Sequence, residues 1–394
     1  MYDKKLSIII PTRNRQAYAF KCITTLLKFQ SDKFEIVVQD NSDEGNLREM
    51  LGDRVDGVKL KYAYRSECLS FCSNFEKSIE LSSGDYIIII GDDDCVFPAI
   101  IELTDTLREK KIDAAVFTTN TTYIWPNAVS NNGGKLVVRK KTNYIKKIAT
   151  ASALTDMVAS GNYDYQNYPF PKIYHGIIKR EKFDLVKFKT GHYFGGLTPD
   201  IYSAVSLSFY IDHILYVNTP FTLPGTCAKS GSADSLTGRH TGELKDAPHF
   251  KGHDHYEWDE AIPYVYSVDT IWAETAFKAV KENRKEIVLT DAEYFAFLSY
   301  IVMKCPIFKE RMAEFFANKT NENYDSVVKR IERASKRLSR NSFIKKGWNF
   351  GMQLLKGRNV YKNVSDIEMA LTTAAKDIQA EQEKAIKKIQ SFEW

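Results

Sequence analysis

Several things missing from this sequence narrow its class before any motif is considered. No stretch of the 394 residues approaches the roughly 18 consecutive apolar residues that a membrane-crossing helix requires. The opening MYDKKLSIIIPTRNR breaks from a short apolar run straight into Pro-Thr-Arg-Asn-Arg, so no secretion signal is expected there. The six cysteines, at 22, 68, 72, 95, 227 and 305, include no CxxC pair, and a reduced, cytoplasmic protein is the simplest inference. No GxGxxG follows the first apolar run, and PTRNR contains no glycine. That excludes a dinucleotide-binding dehydrogenase. Low-complexity tracts and nucleic-acid-binding modules are also missing, so no nucleic-acid partner is expected.

What is present is an ordinary globular composition, 44% hydrophobic and 27% charged. The chain is long for one compact domain and long enough for two. Its 22 Tyr and 23 Phe suit a well-packed core and also suit clefts that bind rings. The net charge of +5 is unevenly spread: residues 329–362 hold eleven Lys or Arg and only one acid, Glu332. That segment is strongly basic and the remainder acidic, which predicts two regions with different electrostatic roles.

Through residue 120, short apolar runs alternate with helical patterns. LSIII (6–10), FEIVVQ (34–39), VKLKYAY (58–64), DYIIII (85–90) and DAAVFTT (113–119) read as strands. Residues 14–29, 71–81 and 98–108 read as helices. Near-continuous apolar strands alternating with helices predict an α/β fold, a mostly parallel sheet covered on both faces. Residues 120–150 read as an irregular or hairpin insertion. Strands are expected at 173–178 and 213–218, a helix at 198–210, and a Gly/Ser/Asp/His-rich loop over 225–256. After Pro263 the pattern is helical: 264–282, 291–303, 306–318, 322–339, 342–356 and 365–392. The expected division is 1–240 and 241–394, with the junction somewhere in 230–260.

DYIIIIGDDDCVFP (85–98) is the most informative stretch. A buried strand ends in Gly91 and three consecutive aspartates, Asp92, Asp93 and Asp94, which need a positive partner. In open parallel sheets ligands bind beyond the carboxyl ends of the strands. Asp40, closing FEIVVQ, lies at a second such end. Mg²⁺ or Mn²⁺ carrying a diphosphate would neutralise the cluster using one or two carboxylates. In an extended segment Asp92 and Asp94 would face one way and Asp93 the other. Helix capping ahead of Pro98 is the plainer reading, and it explains one acid rather than three.

SIIIPTRNR (7–15), VVQDNSD (37–43) and NFEKSIELSSGDYIIIIGDDDCVFP (74–98), in this order and spacing, resemble family 2 glycosyltransferases of the GT-A fold. The likeness covers about residues 5–230. It implies a metal-dependent, inverting transfer of a sugar from a nucleotide diphosphate, with UDP the expected nucleotide. By this resemblance Pro11, Thr12 and Arg13 line the nucleotide pocket and Asp40 accepts from the base. Arg65 and Asn74 border the nucleotide or diphosphate. Asp92 or Asp93 contacts ribose, and Asp94, with Asp92, holds Mn²⁺ or Mg²⁺. Acceptor oxygens suit ribose hydroxyls and a base N–H, and cationic donors suit phosphate; a surface role is the plainer reading for Arg13, Arg15 and Arg65. Inverting transfer needs a carboxylate base. GGLTPDIYSAVSL (195–207) resembles the family segment that supplies one, at Asp200; capping of a helix start is the alternative, and Asp212 is the rival base. LPGTCAKSGSADSLTGRH (223–240) resembles a loop closing over the donor, with Lys229, Ser230 and His240 as its candidate contacts. His249, His253 and His255 have metal-ligand types but no closed zinc-site spacing.

In the basic tail, Phe343, Ile344, Trp348, Phe350, Met352, Leu354 and Leu355 interleave with Lys and Arg. Such a helix either lies on an anionic membrane surface or packs Trp348 into a core. The surface reading suits an acceptor anchored by a polyprenyl diphosphate, with the protein on the inner face of the membrane. Ile367, Leu371, Ala374, Ile378, Ala385 and Ile389 form a helical stripe that is expected to mediate homo-oligomerisation. Resemblance to polysaccharide-assembly enzymes implies a glycan or lipid-linked acceptor in surface polysaccharide synthesis. The alternatives are a nucleotidyltransferase, which usually carries a Gly-rich loop after its first strand, and a catalytically silent glycan-binding scaffold.

Overall fold

The computed structural model describes residues 5–128, 133–139, 144–228, 241–244, 247–253, 255–283 and 285–394, without the side chains of Asp56 and residues 345–356. The first strand, β1 (Leu6–Thr12), is buried at every position. Ile8 and Ile10 enter one core and Ile9 the other, as the period of two in an extended chain requires. β2 (Phe34–Asp40) repeats this with Ile36 and Val38 against Val37, and β4 (Tyr86–Ile89) with Ile88 against Ile87 and Ile89. With β3 (Leu60–Tyr64) these four strands are parallel.

The remaining strands of the sheet are β6 (Ala114–Phe117), β9 (Ile145–Ala149), β10 (Gly176–Lys179) and β11 (His213–Val217). The order across its eight strands is β3-β2-β1-β4-β10-β6-β11-β9. β10 and β9 run antiparallel to their neighbours, so the expected mostly parallel α/β sheet is present with two reversed strands. The chain builds outward from β1 through β2 and β3, then returns to place β4 on the other side of β1. The crevice at that reversal opens beyond the carboxyl ends of β1 and β4, where PTRNR and GDDD lie.

Between and beside these strands are β5 (Cys95–Val96), β7 (Thr121–Ile124), β8 (Lys135–Arg139), β12 (Thr222–Leu223), β13 (Gly225–Thr226), β14 (Thr241–Gly242), β15 (Tyr266–Ser267) and β16 (Arg358–Lys362). The expected insertion is thus partly a hairpin, β7–β8, and partly an edge of the main sheet, β9. Helices α1 (Gln16–Leu27), α3 (Phe71–Leu81), α4 (Ile100–Glu109) and α7 (Pro199–Leu207) match their sequence patterns. Helices α2 (Asn46–Leu51), α5 (Ala153–Ser160) and α6 (Arg180–Thr190) were not anticipated. In α6 only Phe183 and Val186 are buried, and six of its eleven residues are charged, so its apolar period is weak.

The C-terminal helices are α8 (Val268–Glu282), α9 (Asp291–Lys304), α10 (Lys309–Thr320), α11 (Tyr324–Lys356) and α12 (Ile367–Gln390). The two helices expected over 322–356 are one, because Arg340-Asn341-Ser342 contains no residue that stops a helix. The division at residue 240 does not separate two cores. Buried residues of α8, α9, α10 and the start of α11 share a core with Ile9, Ile87 and Ile89. Those of α12 share the other with Ile8, Ile10 and Leu26. β16 joins β8 as an added strand, and α12 packs on α1 and α4.

The stripe expected to form an oligomer face is therefore spent inside the molecule, where Ala374, Ala385 and Ile389 are fully buried. Polar contacts fix its register: Gln382 Nε2 donates to Pro220 O at 2.7 Å, and Tyr123 Oη to Val364 O at 2.9 Å. Ile386→Ala is expected to cost about 2–5 kcal/mol in urea unfolding and to leave the mass measured by light scattering unchanged. A mass shift without a stability loss would mean that α12 pairs between molecules.

Candidate active site

The loop after β1 turns on Asn14, which takes a left-handed conformation (φ 57°), tolerated by Asn because its short amide bonds locally. Its Nδ2 donates to Asp43 Oδ2 at 2.8 Å, and its Oδ1 accepts from the Asp43 N–H at 2.9 Å. This turn sends the two flanking arginines in different directions. Arg13 reaches Asn41 Oδ1 (3.1 Å), Leu69 O (3.2 Å) and Asp43 Oδ1 (3.1 Å). Arg15 faces the aspartates: its Nε is 3.0 Å from Asp92 Oδ1 and its Nη1 3.6 Å from Asp93 Oδ1. The protein itself supplies a positive group to the cluster. Burial works against the charged guanidinium, but the fields of Asp92 and Asp93 outweigh it and raise its pKa.

Residues 91–94 form a turn, closed by the Asp94 N–H on Gly91 O at 3.2 Å, and not an extended segment. This overturns the alternation by which Asp92 and Asp94 were to share a direction. Asp92 is fully buried and accepts from Thr12 Oγ1 at 2.6 Å, whereas Asp93 and Asp94 line the cleft. Asp94 accepts from the Gly91 N–H (2.8 Å) and the Gly225 N–H (2.7 Å), and Asp93 from the Cys227 N–H (3.0 Å). Trp125 Nε1 holds the Asp93 carbonyl at 2.9 Å. Burial first, and then the neighbouring Asp93 carboxylate, push the Asp94 carboxyl above the usual range against these N–H groups. Gly225 is required because a Cβ there would lie 1.8 Å from Asp93 O. Sequence reasoning missed Asn14, Trp125, Gly225 and Cys227, whose roles depend on which strands come together. Lys229, Ser230 and His240 lie outside the described residues.

Pro11, Thr12, Arg13 and Asn74 line the same cleft. Asp40 does not: it is fully buried, accepting from the Ser42 N–H at 2.9 Å and from Tyr62 Oη at 2.8 Å. Its neighbour Asn41 lines the cleft instead, pinned by bonds to Arg65 O (2.9 Å) and Glu67 O. The Arg65 side chain turns toward Glu67, 3.3 Å away. Asn74 Nδ2 donates to Thr12 O at 3.4 Å, and its buried Oδ1 has no partner among the described residues.

Across the cleft, Gly196 (φ 65°) bends the chain ahead of α7, and a Cβ there would meet Thr275 of α8 at 2.8 Å. This bend sets Asp200 in the first turn of α7, lining the cleft. One of its oxygens, Oδ1, has no hydrogen-bond partner among the described residues. Burial raises its pKa, only partly offset by the Ile201 N–H and by the Thr198 and Tyr165 hydroxyls. Asp212 is absent from the cleft lining. Of the histidine trio, His249 lines the cleft, and no group of three or more metal-ligating side chains occurs among the described residues. The cleft, about 1170 Å³, continues past Tyr165, Tyr168 and Lys172 to Ile214 and Tyr216 of β11. Burial lowers the Lys172 pKa to about 8.

A deep cleft at a sheet reversal, with clustered carboxylates on one wall and a half-buried carboxylate opposite, defines a class of α/β enzyme site. Residues 7–200 match the model of glycosyl transferase family 2, and this part of the chain is a domain of that family. It is 25% identical over 120 residues to the uncharacterized glycosyltransferase MG060 of Mycoplasma genitalium, covering 29% of this chain and 40% of that one. It is 27% identical over 113 residues to the abequosyltransferase RfbV of Salmonella typhimurium, covering 27% and 34%. These matches span well under half the length of either relative. Residues 1–349 of S. aureus TarS, solved with UDP-GlcNAc, superpose over 88% of this chain and 92% of that one, with a TM-score of 0.48 and 10% identity.

Proposed function

We propose that this protein is an inverting glycosyltransferase that moves a sugar from a nucleotide diphosphate, with UDP the expected nucleotide, to a hydroxyl of a glycan or lipid-linked acceptor. The observation that carries this reading is the presence, in one cleft, of Asp93, Asp94 and Asp200, whose Oδ1 has no hydrogen-bond partner among the described residues. The match of residues 7–200 to the family model supports it.

The nucleotide would lie along Pro11–Arg13, Asn41 and Asn74. Asp40, behind Asn41, would orient the base pocket through Tyr62 and Ser42. Asp93 and Asp94 fit a hard divalent cation, which takes one or two carboxylates and completes its shell with phosphate oxygens and water. When bound, Mn²⁺ or Mg²⁺ would stabilise charge on the leaving diphosphate. Asp92 would serve by holding Arg15 and Thr12 in place. Asp200 takes the proton from the acceptor hydroxyl as its oxygen bonds to the anomeric carbon. The bond from that carbon to the diphosphate breaks on the opposite side, so a single displacement inverts the centre. Tyr165, Tyr168 and Tyr216 border the space left for the acceptor.

The basic tail suits a membrane-anchored acceptor. Phe343 and Ile344 are 79% and 61% exposed beside Lys336, Arg337 and Arg340, a composition that attaches to anionic bilayers. Among the described residues no helix is long and apolar enough to cross a membrane.

Calorimetric titration of UDP, with and without Mn²⁺, tests the central claim. Metal-dependent binding is expected in the wild type and is expected to vanish in Asp94→Ala. Binding of a different nucleotide would change the donor and keep the reaction. If no nucleotide binds under any metal condition, the silent-scaffold reading prevails.

A further inference from the structure

We propose that His175 reads a hydroxyl of the sugar being transferred, making it a specificity-determining residue of the donor subsite. The inference rests on the sugar-transfer reading of the cleft and names a contact that no motif in the sequence singles out.

Its position comes from the sheet. β10 is inserted antiparallel between β4, which delivers the aspartates, and β6. The residues entering β10, Tyr174 and His175, therefore stand at the carboxyl ends of those neighbours, and both line the cleft. Asp94 and Asp200 line the same cleft, so this segment borders the gap between the proposed base and the diphosphate end. A sugar bonded to that diphosphate and attacked by a hydroxyl held at Asp200 must occupy this gap.

The residue is held at both its side chain and its backbone. Nδ1 lies 3.0 Å from Thr222 Oγ1, and Thr222 is fully buried and paired with Val96, close after Asp94. The His175 carbonyl accepts from the Phe117 N–H of β6 at 2.8 Å. The imidazole is thus tied to the same ladder that positions the aspartates. The other ring nitrogen, Nε2, has no hydrogen-bond partner among the described residues.

The backbone is strained to achieve this. His175 has φ 55°, a left-handed conformation that costs a non-glycine residue about 1–3 kcal/mol and persists where the surroundings over-determine it. Glycine would relieve that strain at no steric cost, yet the position carries an imidazole, on a residue that lines the cleft. Burial, and then the nearby Lys172 charge, hold its pKa down at about 4, so the ring stays neutral at physiological pH. A sugar hydroxyl both donates and accepts, so it can bond Nε2 in either tautomer.

The test compares the wild type with His175→Asn, which tolerates the left-handed backbone, and with His175→Ala. Each is titrated with UDP, which lacks the sugar, and then assayed for UDP release from a panel of UDP-sugars that includes epimers. The expected result is unchanged UDP affinity, a roughly 10-fold lower kcat/KM for the preferred donor, and a ratio of preferred donor to epimer that collapses toward one. If UDP affinity falls in step with turnover while the ratio holds, His175 is only structural and the proposal is overturned. A wild type that turns over UDP-sugars and variants that keep its selectivity also overturn it, and leave the transferase reading intact. A wild type that binds no UDP and turns over no UDP-sugar removes both.

Discussion

Asp200→Asn is expected to lower turnover about 10²–10⁴-fold while UDP affinity stays within twofold of the wild type (about 0.4 kcal/mol). The substitution keeps the shape of the side chain and removes the ability to accept a proton. Steady-state kinetics with a competent acceptor, set beside calorimetry with UDP, separates this from a binding defect. Equal losses in both would mean that Asp200 supports the fold or the donor pocket rather than the chemistry.

The raised pKa of Asp200 adds two signed consequences. The base must be ionised to act, so activity falls as pH drops through the raised pKa. The acid limb of kcat/KM should then lie above the range of an ordinary aspartate. Stability runs the other way. An acid whose pKa is raised by folding stabilises the native state most when protonated, and that contribution is lost as pH rises from the unfolded to the folded pKa. At neutral pH, Asp200→Asn should therefore keep or raise Tm while activity collapses, a combination that a structural carboxylate would not give.

Arg15→Met should produce the largest loss of stability of any single change at the site, about 3–5 kcal/mol. It leaves Asp92, fully buried, and Asp93 without their cation, while the methionine fills similar volume. Arg15→Lys should recover only part of the loss, because one ammonium cannot address two carboxylates as a planar guanidinium does. Combining Arg15→Met with Asp92→Asn should cost less than the sum of the single changes, since the pair is coupled. Urea unfolding of the four proteins checks this. Strict additivity would show that the close approach of Arg15 Nε to Asp92 Oδ1, 3.0 Å, contributes little.

Much of this site was legible before the structure. Pro11, Thr12, Arg13, Asn74, Asp93, Asp94 and Asp200 were named from the sequence and do share one cleft. They follow strands or open a helix whose periodicity is strong, so locating the element locates the residue. Asp40 and Asp92 were named on the same grounds, but the structure turns their carboxylates inward to Tyr62, Ser42, Thr12 and Arg15. A strand end fixes where a residue lies along the chain and leaves open whether a neighbouring strand supplies it with a partner. The stripe from Ile367 to Ile389 shows the same limit: its helical period was clear, but nothing local distinguishes an oligomer face from one that packs on α1 and α4.

The sequence by itself determined the alternation of buried strands and helices, the family and the placing of acidic groups at strand ends, because these follow from periods of two and 3.6 residues and from short contiguous motifs. Tertiary structure alone decided that Arg15 answers the aspartates, that Gly225 and Cys227 cradle them, that α12 closes the N-terminal core and that His175 enters the cleft. Each of these depends on groups distant along the chain meeting across the sheet. Counter-charge, burial and free valence belong to a place in space, and no segment of the chain carries them alone.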